Sequence, residues 1–250
     1  MIGYSVVANR TLKARSREYA DWYGVPYPRA LADLTAPGLS VPLNSKIPRE
    51  RMDFDPAKDR HLILTGDFEL RAGCLERVFG RFSYKPHVEC FIIDVTGDLA
   101  RAFSDVAEDG SEGAAMNPTA ATMLLESLVA AADDPTAVPA DQFDVIAVHG
   151  LSEMLEAAPE SAGILGRLLE IDSPQQCFVL AGDWIGNCPV PGGPKISGAT
   201  RLHHGPLGDL TGLSAKNQER WRELDPAEGD VVYQKRGYVP IKGTARKRAS

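Results

Sequence analysis

This sequence lacks a C-x-x-C pair, an excess of basic residues, and any apolar stretch approaching the roughly 18–20 residues of a membrane span. Each absence removes a class. The four cysteines are Cys74, Cys90, Cys177 and Cys188, and three of them lie inside apolar runs, so they read as buried thiols in a reducing compartment. A formal charge of −7 disfavours a nucleic-acid binder, because such domains carry a net basic face. The first 30 residues hold no signal-peptide core. The expectation is a cytoplasmic protein without membrane insertion, able to be recruited to a membrane complex. No G-x-S-x-G elbow occurs. His203-His204 and Cys188 match no standard zinc spacing, and adjacent histidines on a strand point to opposite faces.

What is present centres on His61 to Phe82. A short apolar run, Leu62 to Leu64, stops at Gly66. Leu70, Cys74, Leu75, Val78, Phe79 and Phe82 then recur on one helical face. A strand entering a helix through a Gly turn is a phosphate-binding geometry, since the helix N-terminus offers free N–H groups and the positive end of its dipole. Aligned from Gly66 with the consensus G-x-x-x-x-G-K-[ST], the turn has Arg71 at the second Gly, Ala72 at the Lys and Gly73 at the Ser/Thr. The ammonium and the metal-binding hydroxyl are both absent, and Asp67 and Glu69 add negative charge. Bound ATP and magnesium are therefore not expected.

Residues 1–50 form a Pro- and aromatic-rich lead, with a helix expected over Thr11 to Trp22 and another turn of helix over Ala30 to Leu34. Residues 51–243 alternate apolar strand runs with helical segments. The strands are expected at Leu62–Leu64, Val88–Asp94, Phe143–Val148 and Cys177–Ala181. Helices are expected from about Leu70, over Leu99–Phe103, from Asn117-Pro118 to Asp133, and over Glu160–Ile171. Asp105–Gly113 and Asp183–Gly193 read as loops, and Asp230–Gln234 with Tyr238–Ile241 as a hairpin. This alternation predicts a parallel sheet with helices on both faces. Residues 244–250 are a basic tail expected to be disordered.

The order of these features resembles FtsK/SpoIIIE-like P-loop ATPase domains, and among them the ATPase modules of the actinobacterial type VII secretion motor. Lys58-Asp59-Arg60-His61-Leu62 matches the family's entry to the phosphate-loop strand, and Phe91-Ile-Ile-Asp94 its second strand end. Phe143-Asp-Val-Ile-Ala-Val-His149 matches its metal-binding strand, with His149-Gly150 in place of the acidic pair. Leu224-Asp-Pro-Ala-Glu-Gly-Asp-Val-Val-Tyr233 with Gly237 matches its closing hairpin. The resemblance spans roughly residues 30–243. It implies an α/β, P-loop NTPase-like fold of the RecA/FtsK type with a C-terminal β-hairpin. Its degenerate motifs imply a catalytically inactive module that is structural, regulatory or peptide-binding. The implied partners are subunits of a secretion or translocation motor, with oligomers possible.

Asp67, Asp94, His149 and Asp183 each follow a predicted strand, where ligands bind in open parallel sheets. If they converge, three carboxylates and an imidazole suit a divalent metal and a hydrolase. If they do not, they are ordinary turn residues. A DNA-translocase accessory contacting phosphates through Lys242 to Arg248 is a further alternative, disfavoured by the acidic balance. Ser152 reads as a helix start rather than a nucleophile. With phosphate contacts gone, Asp67, Glu69, Asp94, Asp183 and Trp184 form a candidate docking rim, acidic and anchored by Trp184 and Ile185, for a basic protein segment.

Overall fold

A computed structural model of the chain describes residues 11–36, 38–44, 47–97, 99, 114–134, 139, 142–184, 190, 199–208, 210, 213–228, 230–234 and 241–243. The segments expected over 100–113, around Ile185 and Cys188, at 238–240 and in the 244–250 tail lie outside these.

The lead segment is more structured than its composition suggests. Helix α1 (Leu12–Tyr23) opens on Thr11, whose hydroxyl accepts the Ala14 N–H, and closes at Gly24 in the left-handed conformation. Helix α2 (Tyr27–Thr35) follows Pro26. The pair packs through Tyr19, Ala30 and Leu34, with Tyr23 and Tyr84 against them. Lys85 pins it to the body: its Nζ donates to the carbonyls of Asp33 (2.9 Å) and Ala36 (2.5 Å), while Arg15 Nη1 donates to the Lys85 carbonyl. Trp22, near the end of α1, is 70% exposed. Strands β1 (Leu39–Asn44) and β2 (Ile47–Phe54) then pair as a separate antiparallel hairpin, and the short helix α3 (Pro56–Asp59) is capped by Asp55.

The body alternates strand and helix: β3 (Leu62–Gly66), α4 (Phe68–Ser83), β4 (Val88–Asp94), β5 (Ala114–Ala115), α5 (Pro118–Asp133), β6 (Phe143–His149), α6 (Leu151–Ala157), α7 (Glu160–Ile171), β7 (Gln176–Ala181), β8 (Thr200–His204), α8 (Ala215–Leu224), β9 (Val231–Gln234) and β10 (Ile241–Gly243). The eight-stranded sheet runs β10-β9-β8-β3-β7-β6-β4-β5. From β8 to β5 every pairing is parallel, and β9 runs antiparallel to both its neighbours. The four expected strands thus share one parallel sheet, with β3 central and β7 between it and β6. A terminal antiparallel pair is present as β9 and β10, but β10 (Ile241–Gly243) shares only Ile241 with the expected second arm Tyr238–Ile241, whose residues 238–240 lie outside the described ones.

Both faces are buried, as continuous apolar strand runs require. Leu62 and Leu64 pack with Cys74, Leu75, Val78 and Phe79 of α4 on one side. Ile63 packs on the other, with Leu125 of α5 and Leu165 and Leu168 of α7. Alternation along a single strand therefore feeds two cores.

Candidate functional site

The β3–α4 turn lies on the edge of the sheet formed by the carboxyl ends of the parallel strands. Gly66 has φ +91, which L side chains rarely adopt. The Asp67 N–H donates to the His204 carbonyl (2.8 Å), and Asp67 Oδ1 accepts the Leu70 N–H (3.0 Å) as the N-cap of α4. The helix begins at Phe68, two residues before its expected start at Leu70. This shortening removes the loop itself. Arg71, Ala72 and Gly73 all lie within α4 rather than around a phosphate cradle.

Ala72 packs against the α4-side core. Arg71 is buried (3% exposed), with Nη1 donating to the Gly66 carbonyl at 3.3 Å and its guanidinium 5.4 Å from the Phe68 ring centroid. Burial pulls its pKa down, and the Glu153, Asp183 and Asp67 carboxylates act in the opposite direction. The other degenerate motif also touches this ring. His149 ends β6, is fully buried, and stands edge-on to Phe68 at 5.2 Å. Gly150 has φ +61, and a Cβ there would lie 2.7 Å from Thr96 Cγ2. Phe68, unremarked in the sequence, therefore sits against both Arg71 and His149. Its position at the first residue of a capped helix was the only available signal.

The other rim candidates separate. Asp94 is completely buried: Oδ1 accepts the N–H groups of Thr96 (3.1 Å) and Gly97 (3.2 Å) and the Thr96 hydroxyl (2.6 Å), and Oδ2 accepts the Leu99 N–H (2.7 Å). It closes its own turn and presents no charge to the surface. Asp183 is exposed and accepts the Ser152 hydroxyl at 3.0 Å; α6 itself begins at Leu151. Trp184 is half-buried, packs against the α5/α7-side core and folds over Gly182, so it is not a free anchor. Phe68 and Leu70 supply the exposed apolar surface instead, at 39% and 40% exposure. Asp67 and Glu69 are exposed beside them. Among the described residues, no group of three or more His, Cys, Asp or Glu side chains is placed to hold a metal.

The paired histidines have a structural use. His203 Nε2 lies 2.9 Å from the Pro206 carbonyl, which can only accept, so Nε2 carries the proton and Nδ1 accepts from the Thr65 hydroxyl at 3.0 Å. Burial lowers the His203 pKa, consistent with a neutral ring. This links β8 to the end of β3 directly beneath Gly66. Among the described residues, no helix is long and apolar enough to cross a membrane.

No family model and no curated protein matches the chain. Solved structures do. Thermomonospora curvata EccC (ATPases 2 and 3), in complex with a signal sequence peptide, is similar over 86% of this chain and 41% of that one, with a TM-score of 0.61 and 16% identity. The cytoplasmic domain of the Thermomonospora curvata type VII secretion ATPase EccC is similar over 86% and 27%, at 0.60 and 16%. The cytoplasmic domain of EssC is similar over 83% and 42%, at 0.53 and 10%. The chain therefore spans less than half the length of each of these three structures. At such identities the likeness shows the fold, which is the P-loop NTPase-like α/β fold expected from the sequence.

Proposed function

We propose that this chain is a catalytically inactive module of the FtsK/type VII secretion type, serving as a protein-binding, structural or regulatory component of a cytoplasmic secretion or translocation machine. The observation that carries this reading is the Asp67 cap. A helix N-terminus binds phosphate because its first N–H groups are free. In α4 one of those N–H groups is taken by the Asp67 carboxylate, and the turn is too short to wrap an anion.

The electrostatics support the same reading. The only arginine of the degenerate loop is buried beneath Phe68, and its Nη1 is spent on the Gly66 carbonyl. Each lost hydrogen bond to a charged group is worth about 1.5–3 kcal/mol. At the metal position, His149 is an imidazole packed on an aromatic ring, with Gly150 after it. Catalysis of phosphoryl transfer needs a metal and an oriented water held by carboxylates. Magnesium-ATP is thus expected neither to bind tightly nor to turn over.

A surface freed from phosphate binding is available for protein. The exposed acids Asp67, Glu69 and Asp183, with Phe68 and Leu70 between them, form a docking face for a basic segment of a neighbouring subunit or transported peptide. The signal peptide held by the structurally similar EccC fragment supports peptide recognition on this fold. Calorimetric titration with magnesium-ATP tests the inactive assignment: no heat at 100 µM nucleotide is expected. A low-micromolar dissociation constant, or hydrolysis abolished by Arg71→Ala, would overturn it.

A further inference from the structure

The strand register places the end of β10, after which the basic tail follows in sequence, level with this acidic face. Gly243 of β10 pairs with Val231 of β9, Val231 with His204 of β8, and His204 with Gly66 of β3. The four residues form one row across the sheet. Because β10 is antiparallel to β9, and β9 to β8, β10 runs parallel to β3. β10 therefore ends, at Gly243, on the edge of the sheet where β3 turns into α4. Three strand spacings of about 4.8 Å separate the two points, roughly 14 Å.

We infer that Arg246-Lys247-Arg248 of the same chain docks on the face formed by Asp67, Phe68, Glu69, Leu70, Glu153 and Asp183. The reach fits: at about 3.3–3.6 Å per extended residue, Arg246 lies up to about 10 Å beyond Gly243 and Arg248 up to about 18 Å, which brackets the separation. The charge fits as well. Asp67, Glu153 and Asp183 all act on the one Arg71 guanidinium and so lie around a common point, and they and Glu69 are exposed, whereas Arg71 is buried. The exposed Phe68 and Leu70 suit the aliphatic stems of arginine and lysine, which cover apolar surface while their heads stay at carboxylates. A short tether gives the tail a millimolar effective concentration at the face. The tail thereby acts as a built-in competitor that a basic partner segment must displace, in a salt-dependent manner.

This inference rests on the docking role proposed for the same face, and two measurements separate them. Zero-length carbodiimide coupling of the monomeric chain joins the Lys247 amine to Asp67, Glu69, Glu153 or Asp183, and 1 M NaCl abolishes the product. Coupling of Lys247 only to other carboxylates, or only between molecules, overturns the inference. A fluorescent hexa-arginine peptide is then titrated against the full chain and against Arg246→Ser/Lys247→Ser/Arg248→Ser. At least tenfold tighter binding to the variant is expected. Equal binding to both overturns the tail's role and leaves the docking face standing, while binding to neither overturns both.

Discussion

The Asp67 carboxylate and the Leu70 N–H, 3.0 Å apart, close the helix end that an anion would occupy in an active phosphate loop. The bond is a cap before it is anything else, and the two roles separate by substitution. Asn caps as well as Asp, whereas Ala costs about 0.5–2 kcal/mol. Urea unfolding is expected to place Asp67→Asn within about 0.5 kcal/mol of the parent and Asp67→Ala clearly below it. Equal losses would mean that the negative charge, not the cap, holds the turn.

Gly66 carries the tightest steric constraint of the turn. A Cβ there would collide with the His204 carbonyl oxygen and lie 2.9 Å from His203 Cε1, in a backbone conformation already unfavourable for L residues. Left-handed backbone costs about 1–2 kcal/mol and overpacking about 1–3 kcal/mol more. Gly66→Ala is expected to lose their sum, measured as a shift of the urea midpoint at constant slope. Gly163→Ala has nothing within 4 Å of its added Cβ and serves as the control.

The core strands were legible because both faces are buried, so Leu62–Leu64, Phe143–Val148 and Cys177–Ala181 read as apolar runs. Strand β8 was not, because Thr200, Arg201, His203 and His204 are polar in sequence yet all buried. Their burial depends on β3, β9 and α8 closing around them, which no local pattern encodes. The β1–β2 hairpin was hidden by Pro42 and Pro48, residues that a hairpin outside the main sheet tolerates. At the site, the degenerate motifs were readable residue by residue, but the length of the turn was not. Asp94 and Asp183 look alike as strand-end carboxylates. Only the return of Thr96, Gly97 and Leu99 onto Asp94 removes it from the surface.

Asp144 predicts a stability that falls as pH rises. It is buried on β6, and burial lifts its pKa from 3.8 to about 6; the Glu89 carboxylate adds to this, while the Gln142 and Gln176 amides oppose it. Between those values the folded chain holds a proton that the unfolded chain has released. The associated stability is full below about pH 4 and lost as pH rises through 6. Asp144→Asn is expected to gain up to about 3 kcal/mol over the parent at pH 7.5, and almost nothing at pH 4. A gain independent of pH in parallel urea titrations would show that ionisation is not its source.

His61 predicts the opposite slope over an overlapping range. Its Nδ1 accepts the Phe178 N–H at 3.2 Å, so the folded ring is neutral, with Nε2 toward Asp172 at 3.7 Å. Burial first, and the Arg60 cation second, push its pKa from 6.5 down to about 4 against the pull of Asp172. The unfolded chain therefore takes up a proton before the folded one does. The stability tied to neutral His61 is complete above about pH 6.5 and lost as pH falls toward 4. In the parent, the two groups offset each other between about pH 4 and 6. Each single variant is expected to expose the slope of the other: Asp144→Asn becomes more acid-sensitive, and His61→Asn becomes more stable toward acid. The double variant should lose both contributions and flatten. If the two single variants shift the pH profile in the same direction, one of these burial assignments is wrong, and comparison with the double variant identifies which.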